Sequence, residues 1–510
     1  MSASQLPYAL YRAEQVRQLD ELAINLGKVP GIQLMKRAGR AAFSLLRTTW
    51  PDCECVVVLC GGGNNGGDGY VIAALAAQKG MAVQVLSACD PAQLKGDAYR
   101  AYCYAAQEGV LVVEVDDWSA HKKTVAQAHV LVDALLGTGL KGEVRTHYQQ
   151  AIALLNSASA PILAMDIPSG LCSDSGAVLG TAVKATSTMT FVAFKQGLLT
   201  GRAPAYVGCV VFNDLQLSEL QQDPLVAGAM AAIEPSAQRV DTVHCKKVLP
   251  LREADAHKGM FGHVMVIGGD KGFGGAVAMA AQSCARAGAG LTSAATQPEH
   301  VLALLARVPE VMVNGVASGQ ALEPLLSKPS VIVIGPGLGR SPWSEQMLQQ
   351  AVVTGTSLVV DADALNILSQ GRVVSKAYRQ NWVLTPHPGE AARLLGCSIA
   401  CIQADRFGAV QKLQRRYGGV AVLKGAGTLI ADGERVYVAN VGNPGMASGG
   451  MGDVLSGVIG ALVAQGLSLC EAACLAVCLH GDAADLALAE GGARGMLATD
   501  LIPYIRELLN

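Results

Sequence analysis

Apolar positions along this chain cluster in short, near-continuous runs of valine, isoleucine and leucine. Each run gives way to a glycine or acidic turn and then to a helix-like stretch. Helices are predicted over residues 13–26 and 31–48. The β-type runs that follow are 56–59, 82–86, 111–115, 130–132, 162–165 and 187–194, ending with 207–212. Runs apolar on both sides of the pleat, alternating with helices, predict a parallel sheet covered on both faces. Between residues 215 and 254 the pattern lapses into Gln, Asp, Ala and Ser without a period, which reads as a linker. A second series then runs through 264–267, 331–334, 358–360, 382–384 and 421–423, and three apolar helices near 452–465, 469–489 and 499–508 close the chain. The prediction is two α/β domains joined near residue 225, with differing glycine and acidic punctuation and so no duplication.

Size agrees: 510 residues exceed a single core. A formal charge of −2 offers no electrostatic footprint for nucleic acid or a membrane surface. The fourteen cysteines lack paired zinc spacing and read as reduced thiols. The start, Met1 to Pro7, has no basic region followed by an apolar core, and no uninterrupted apolar run reaches about 18 residues. A cytoplasmic protein, commonly a homo-oligomer at this size, is expected.

The most informative stretch is Cys60-Gly61-Gly62-Gly63-Asn64-Asn65-Gly66-Gly67-Asp68-Gly69, between a strand and a helix predicted over 70–78. A strand–glycine turn–helix junction aims free N–H groups at a docked anion. It is neither G-x-G-x-x-G nor a P-loop. Ligands of an open parallel sheet gather at the carboxyl ends of strands. Asp133 there opens a second glycine turn, Leu135-Leu136-Gly137-Thr138-Gly139-Leu140-Lys141-Gly142-Glu143, and Asp166 opens Ile167-Pro168-Ser169-Gly170. Any one of these acids is also a plausible helix cap. Asn65, Asp133 and Ser169 together offer oxygen donors of low charge, which suit a monovalent cation better than zinc.

These motifs resemble the NAD(P)HX epimerases over roughly residues 10 to 215, a family with a Rossmann-like fold that interconverts the C6 epimers of hydrated NADH and NADPH. The resemblance implies that Asn64, Asn65, Gly66, Gly67 and Asp68 hold the substrate with Gly137, Thr138, Gly139, Leu140, Lys141, Gly142 and Glu143. It also implies that Asn65, Asp133 and Ser169 bind K⁺ and that Asp166 binds substrate and is catalytic. Tyr148 is near enough to the loop to contact substrate.

In the second half, His257-Lys258-Gly259 leads into a strand, and Phe273-Gly274-Gly275-Ala276 opens a helix of small residues. Past later strands stand Gly335-Pro336-Gly337, Asp361-Ala362-Asp363, His387-Pro388-Gly389-Glu390 and Lys424-Gly425-Ala426-Gly427-Thr428. The sharpest signal is the run Asn443 to Gly450, small residues ahead of Met451-Gly452-Asp453 and an apolar helix. Such a helix start stabilises charge on a transferred phosphoryl group, and Asp453 is placed to take a hydroxyl proton. An ordinary helix-terminal acid is the structural alternative.

This half resembles the ribokinase-like superfamily, and within it the ADP- or ATP-dependent NAD(P)HX dehydratases, over roughly 250 to 508. The resemblance implies that Lys424, Gly425, Ala426, Gly427, Thr428 and Gly452 hold ADP or ATP with Mg²⁺. Ala276, Gly337, His387 and Asp453 would face the hydrated nicotinamide, with Asp453 catalytic. The implied domains are 1-220, the epimerase; 221-250, the linker; and 251-510, the dehydratase. The implied function is repair of hydrated NADH and NADPH (NADHX and NADPHX): one half interconverts the epimers, and the other dehydrates one of them through phosphoryl transfer, releasing AMP and phosphate from ADP. The alternative is a vitamin or sugar kinase with a regulatory or scaffold N-terminal domain.

Overall fold

The computed structural model describes residues 6–374 and 378–510. The first five residues of the N-terminal segment read above lie outside that range. The chain divides into two compact units, Met1–Ala237 and Gln238–Asn510.

Unit 1 carries seven parallel strands in one sheet: β2 (Cys55–Cys60), β3 (Ala82–Ser87), β4 (Leu111–Glu114), β5 (Val130–Ala134), β6 (Ile162–Met165), β7 (Ser187–Phe191) and β9 (Cys209–Asn213), with the short pair β1 (Ala9–Tyr11) and β8 (Phe194–Lys195) outside it. The sheet order is β4-β3-β2-β5-β6-β7-β9, so the direction of winding reverses between β2 and β5, where a crevice opens beyond the strand ends. Alternate residues of β2 serve different cores: Val56, Val58 and Cys60 pack with helices α1 (Ala13–Asn25) and α2 (Gly31–Thr49), while Val57 and Leu59 pack with Leu131 and Ile152. The sheet is covered on both faces, as its apolar runs predict.

The helix after β2 begins earlier than the pattern predicts. Helix α3 spans Asn64–Gln78, so Asn64 to Gly69 form its first turns rather than a loop before Tyr70. Glycine disfavours helix in isolation, but tertiary packing overrides it here. A Cβ on Gly66 would collide with the Gly61 carbonyl, and one on Gly67 would meet the Met35 side chain at 2.6 Å.

Residues 221–250, expected as a linker, contain ordered elements. Helix α4 (Pro224–Ala231) buries Val226 and Met230 in the unit 1 core, and strand β10 (Ala237–Val240) pairs with a strand of unit 2. Its small apolar residues hid the helix from a periodicity test.

Unit 2 contains β11 (His263–Ile267), β12 (Leu291–Thr296), β13 (Met312–Gly315), β14 (Val331–Ile334), β15 (Ser357–Val360), β16 (Trp382–Leu384), β17 (Val420–Leu423), β18 (Thr428–Ala431) and β19 (Val436–Ala439). Their order is β13-β12-β11-β14-β15-β16-β17-β18-β19-β10, parallel as far as β17, with β18 antiparallel to both neighbours. The sequence pattern missed β12, β13, β18 and β19. Helices α5 (Gly274–Arg286), α6 (Ala362–Ser369), α7 (Pro388–Leu395), α8 (Met451–Ala464) and α9 (Leu469–Gly491) flank the sheet. Helix α9 is long and apolar enough to cross a membrane by length and hydropathy alone, although Glu471, Asp482 and Asp485 interrupt its apolar run. It is a core helix, with Leu475, Cys478 and Leu479 fully buried.

Candidate functional site

The crevice of unit 1 is a cavity of about 770 Å³ at the carboxyl ends of β2, β5, β6 and β7. Of the residues singled out in the sequence, Asn64, Asn65, Asp68, Gly137, Thr138, Gly139, Leu140, Lys141, Glu143, Tyr148 and Asp166 line it. Gly66 and Gly67 are buried beneath it as packing positions. Gly142 is outside the lining, a turn residue at φ +74°. Five charged lining residues were not anticipated: Arg17 and Asp20 on α1, Asp97, Arg145, and Lys195 on β8.

Asp166 follows β6 and holds φ at +64°, a conformation unfavourable for a residue with a Cβ. Its Oδ1 accepts from Phe191 N at 3.2 Å, from Thr190 Oγ1 at 3.4 Å and from Lys195 Nζ. Lys195 is 1% exposed and also donates to the Phe191 carbonyl at 2.7 Å. Held by two acceptors, the Lys195 head group locks the Asp166 carboxylate against the end of β7. Burial raises Asp20 to about 6, with Asp166 adding to the rise and Lys195 opposing it.

Asp133 lies within β5, one residue further inside the strand than expected, and is fully buried. It accepts from Ser169 N at 2.8 Å, Ser169 Oγ at 2.6 Å and Leu135 N at 3.3 Å. Burial outweighs these donors and raises its pKa to about 6. Asn65, 8% exposed, keeps both amide atoms buried without a hydrogen-bond partner among the described residues. Gly137 lies over it, 3.3 Å from a would-be Cβ to Asn65 Cβ. An orphaned buried carboxamide on the cavity wall is costly unless a ligand satisfies it.

In unit 2 the site is built on an ionic cluster at the strand ends. Asp361, 1% exposed after β15, accepts from Lys424 Nζ at 2.7 Å, and Lys424 lies 4.0 Å from Glu390 Oε2. His387 caps α7: its Nδ1 accepts from Gly389 N at 3.0 Å, and its own N–H donates to Glu390 Oε2 at 2.8 Å. Gly452 opens α8 against this cluster, its would-be Cβ 3.2 Å from both Asp361 Oδ2 and Lys424 Nζ. Burial lifts Asp453 to about 7, reinforced by Asp361 and opposed by Lys424. The same causes, with Lys424 lowering and Asp361 raising, carry Glu390 to about 7. Burial alone would lower the Lys424 pKa, but Asp361 and Glu390 overcome it and the net shift is upward.

Ala276 and Gly337 meet on the other side of this face, 3.0 Å from a would-be Gly337 Cβ to Ala276 Cβ. Asp363 joins the two parts: it accepts from Gly339 N at 3.1 Å, and its charge reaches Asp453. Thr428 closes its own loop, with Oγ1 donating to the Gly425 carbonyl at 3.0 Å. The buried Arg406 holds this loop from behind, donating to the Leu423 and Lys424 carbonyls at 3.2 Å each. No sequence signal marked Arg406.

Fold and site thus define a two-unit α/β enzyme, Rossmann-like in its first unit and ribokinase-like in its second. The first unit presents a cavity lined by several carboxyl groups at its strand ends, and the second an ionic cluster beside the start of α8. Residues 31–197 match the family described as YjeF-related protein N-terminus, and residues 264–507 match NAD(P)H-hydrate dehydratase. A bifunctional NAD(P)H-hydrate repair enzyme of Coxiella burnetii is 48% identical, over 98% of this chain and 99% of that one. The repair enzyme of Vibrio cholerae is 42% identical, over 99% of each chain. A crystal structure of a ribokinase-like superfamily protein from Enterococcus faecalis is 33% identical with a TM-score of 0.50, covering 53% of this chain and 94% of that one. The chain belongs to the family of bifunctional NAD(P)H-hydrate repair enzymes.

Proposed function

We propose that the chain restores NADH and NADPH from their hydrates, with unit 1 interconverting the two C6 epimers and unit 2 dehydrating one of them. The observation that carries this reading is the pairing of two complete constellations in one chain. Asp166 is ionically fixed over a ligand-sized cavity, and Asp453 heads a helix beside Lys424 and Asp361.

Hydroxide leaves C6 poorly, so unit 2 makes it a phosphate ester before elimination. Asp453 takes the C6 hydroxyl proton as oxygen attacks the terminal phosphoryl group of ADP or ATP. The N–H groups at the start of α8, with Lys424, then balance the charge that develops. The loop from Lys424 to Thr428 and Gly452 hold the nucleotide, while Ala276, Gly337 and His387 face the nicotinamide. Mg²⁺ on the phosphates would need one or two carboxylate oxygens rather than a protein cage, and Asp361 and Glu390 supply that chemistry. No cluster of three or more His, Cys, Asp or Glu suited to holding a metal occurs among the described residues.

In unit 1, Asn65, Asp133 and Ser169 would hold K⁺. The orphaned Asn65 carbonyl, the one-sided Asp133 Oδ2 and the Ser169 hydroxyl fit a weakly charged oxygen-ligated ion. Bound there, K⁺ supplies positive charge beside the substrate-binding loop.

The test supplies a mixture of both epimers of hydrated NADH with excess ADP or ATP and follows the NADH absorbance band. The wild-type chain converts nearly all of it. Asp166→Ala stalls once the preferred epimer is consumed, apart from slow spontaneous epimerisation. A phosphorylated product that accumulates without NADH would mark a small-molecule kinase instead.

A further inference from the structure

Of the carboxyl groups that line the unit 1 cavity, Asp166 and Asp68 stand in opposite surroundings. Asp166 Oδ1 receives the Phe191 N–H, the Thr190 hydroxyl and the Lys195 ammonium, the environment of a carboxylate anion. Asp68, on the first turns of α3, lines the same cavity and has no hydrogen-bond donor among the described residues. It is faced by Asp166 after β6, Asp20 on α1, Lys195 on β8 and the Cys60 thiol of β2. Burial, with repulsion from Asp166 and Asp20, pushes its pKa well above the usual carboxylate range, and Lys195 only partly opposes this. A carboxyl group fully supplied with donors and one left without any suit opposite roles in proton transfer.

The geometry points to an acid–base pair in which Asp166 takes the proton of the C6 hydroxyl and Asp68 delivers one to the ring nitrogen. This rests on the epimerase reading of unit 1. In a hydrated nicotinamide, C6 carries both the hydroxyl and ring nitrogen N1, so it is a hemiaminal. As Asp166 removes the hydroxyl proton, the C6=O π bond forms and the C6–N1 bond breaks. The electron pair of that bond goes to N1, which takes the proton of Asp68. Asp166 is now neutral and Asp68 an anion, so total charge is unchanged and nothing is oxidised or reduced. Rotation about C5–C6 presents the other face of the aldehyde. N1 then attacks C6, Asp68 takes back the N1 proton, and Asp166 returns its proton to oxygen. The ring closes with inverted configuration and both residues are reset. Lys195 is a positioning residue, holding the carboxylate of Asp166, whose backbone is strained at φ +64°.

The experiment uses the full chain with one purified epimer of hydrated NADH and no nucleotide, so that dehydration is silent. Chromatography follows the other epimer above the enzyme-free rate. Asp68→Asn and Asp166→Asn should each lower kcat by ~10²–10⁴-fold with KM changed by less than about threefold. Wild-type kcat should fall at high pH as Asp68 loses its proton. Asp68→Asn should abolish that fall, and Asp68→Glu should restore it with part of the rate. Near wild-type kcat in Asp68→Asn beside an inactive Asp166→Asn overturns the acid assignment and leaves the epimerase reading intact. A large rise in KM with unchanged kcat in Asp68→Asn overturns it equally, showing a binding role. Failure of the wild-type chain to epimerise overturns the epimerase reading itself.

Discussion

At the residue scale, Asp453 shows how a site sets activity against stability. The isolated carboxyl ionises near pH 4, but in the folded chain burial and Asp361 hold its proton to about pH 7. Between those values the folded state binds more protons than the unfolded chain, so stability falls as pH rises across that window. Ionised Asp453 is the form that accepts the hydroxyl proton, so dehydration should climb through the same interval. Asp453→Asn should therefore lose about 10²–10⁴-fold in dehydration while unfolding at a higher temperature than wild type at pH 8. The stability difference should shrink towards pH 5. Thermal unfolding at the two pH values checks this, and an equal difference at both would show that Asp453 carries no buried charge. Asp166 and Asp453 were legible in the sequence because each stands at a strand end or helix start, where chemistry collects in this fold class. Asp20 and Lys195 were not. Asp20 is one of several acids on an amphipathic helix, and only the docking of α1 turns it to the cavity. Lys195 sits just past a run expected to end at residue 194, and its burial depends on the ion pair with Asp166.

At the scale of the element, the lesson is α3. Its first turns hold the residues most easily recognised as functional, yet the glycines among them suggested a loop. Gly66 and Gly67 are helical because neighbouring backbone and Met35 occupy the space of a side chain, information absent from local propensity. Gly66→Ala should destabilise unit 1 by about 1–3 kcal/mol through overpacking against the Gly61 carbonyl. It should also disturb Asn65 and Asp68, which project from the same turns. Gly63→Ala, where a Cβ meets nothing within 4 Å, is the contrasting substitution. Denaturant unfolding of both variants decides, and equal stability would show that the close approach relaxes freely. The missed strands have the same origin. β18 and β19 are arms of an antiparallel hairpin whose runs are mixed with Thr, Tyr and Ala and which no helix separates.

On the scale of the whole molecule, two α/β units were legible from punctuation alone, and the division after Ala237 falls inside the stretch read as a linker, which is itself ordered. Residues 221–250 look like a linker because Ala, Gly and Gln carry little periodicity, yet some of their large apolar side chains are buried while Leu225 and Val243 stay exposed. Val226 and Met230 of α4 are 2% and 7% exposed in the unit 1 core, and Ser236 N donates to the Leu10 carbonyl at 2.9 Å. Beyond Ala237, Gln238 to Val240 pair in parallel with Tyr437 to Ala439, and Cys245 is buried in the unit 2 core. A cut after residue 220 therefore removes core from unit 1, at about 2–5 kcal/mol for each large side chain lost. A start at residue 251 leaves β19 as an open edge prone to association. Fragments 1–237 and 238–510 should each be soluble and cooperatively folded. The first should epimerise without nucleotide, and the second should dehydrate one epimer only when nucleotide is present. Fragment 1–220 should unfold at a lower temperature than 1–237, and 251–510 should aggregate. Matching thermal unfolding of 1–220 and 1–237 would show that α4 is peripheral to the unit and that the earlier boundary near residue 220 is the working one.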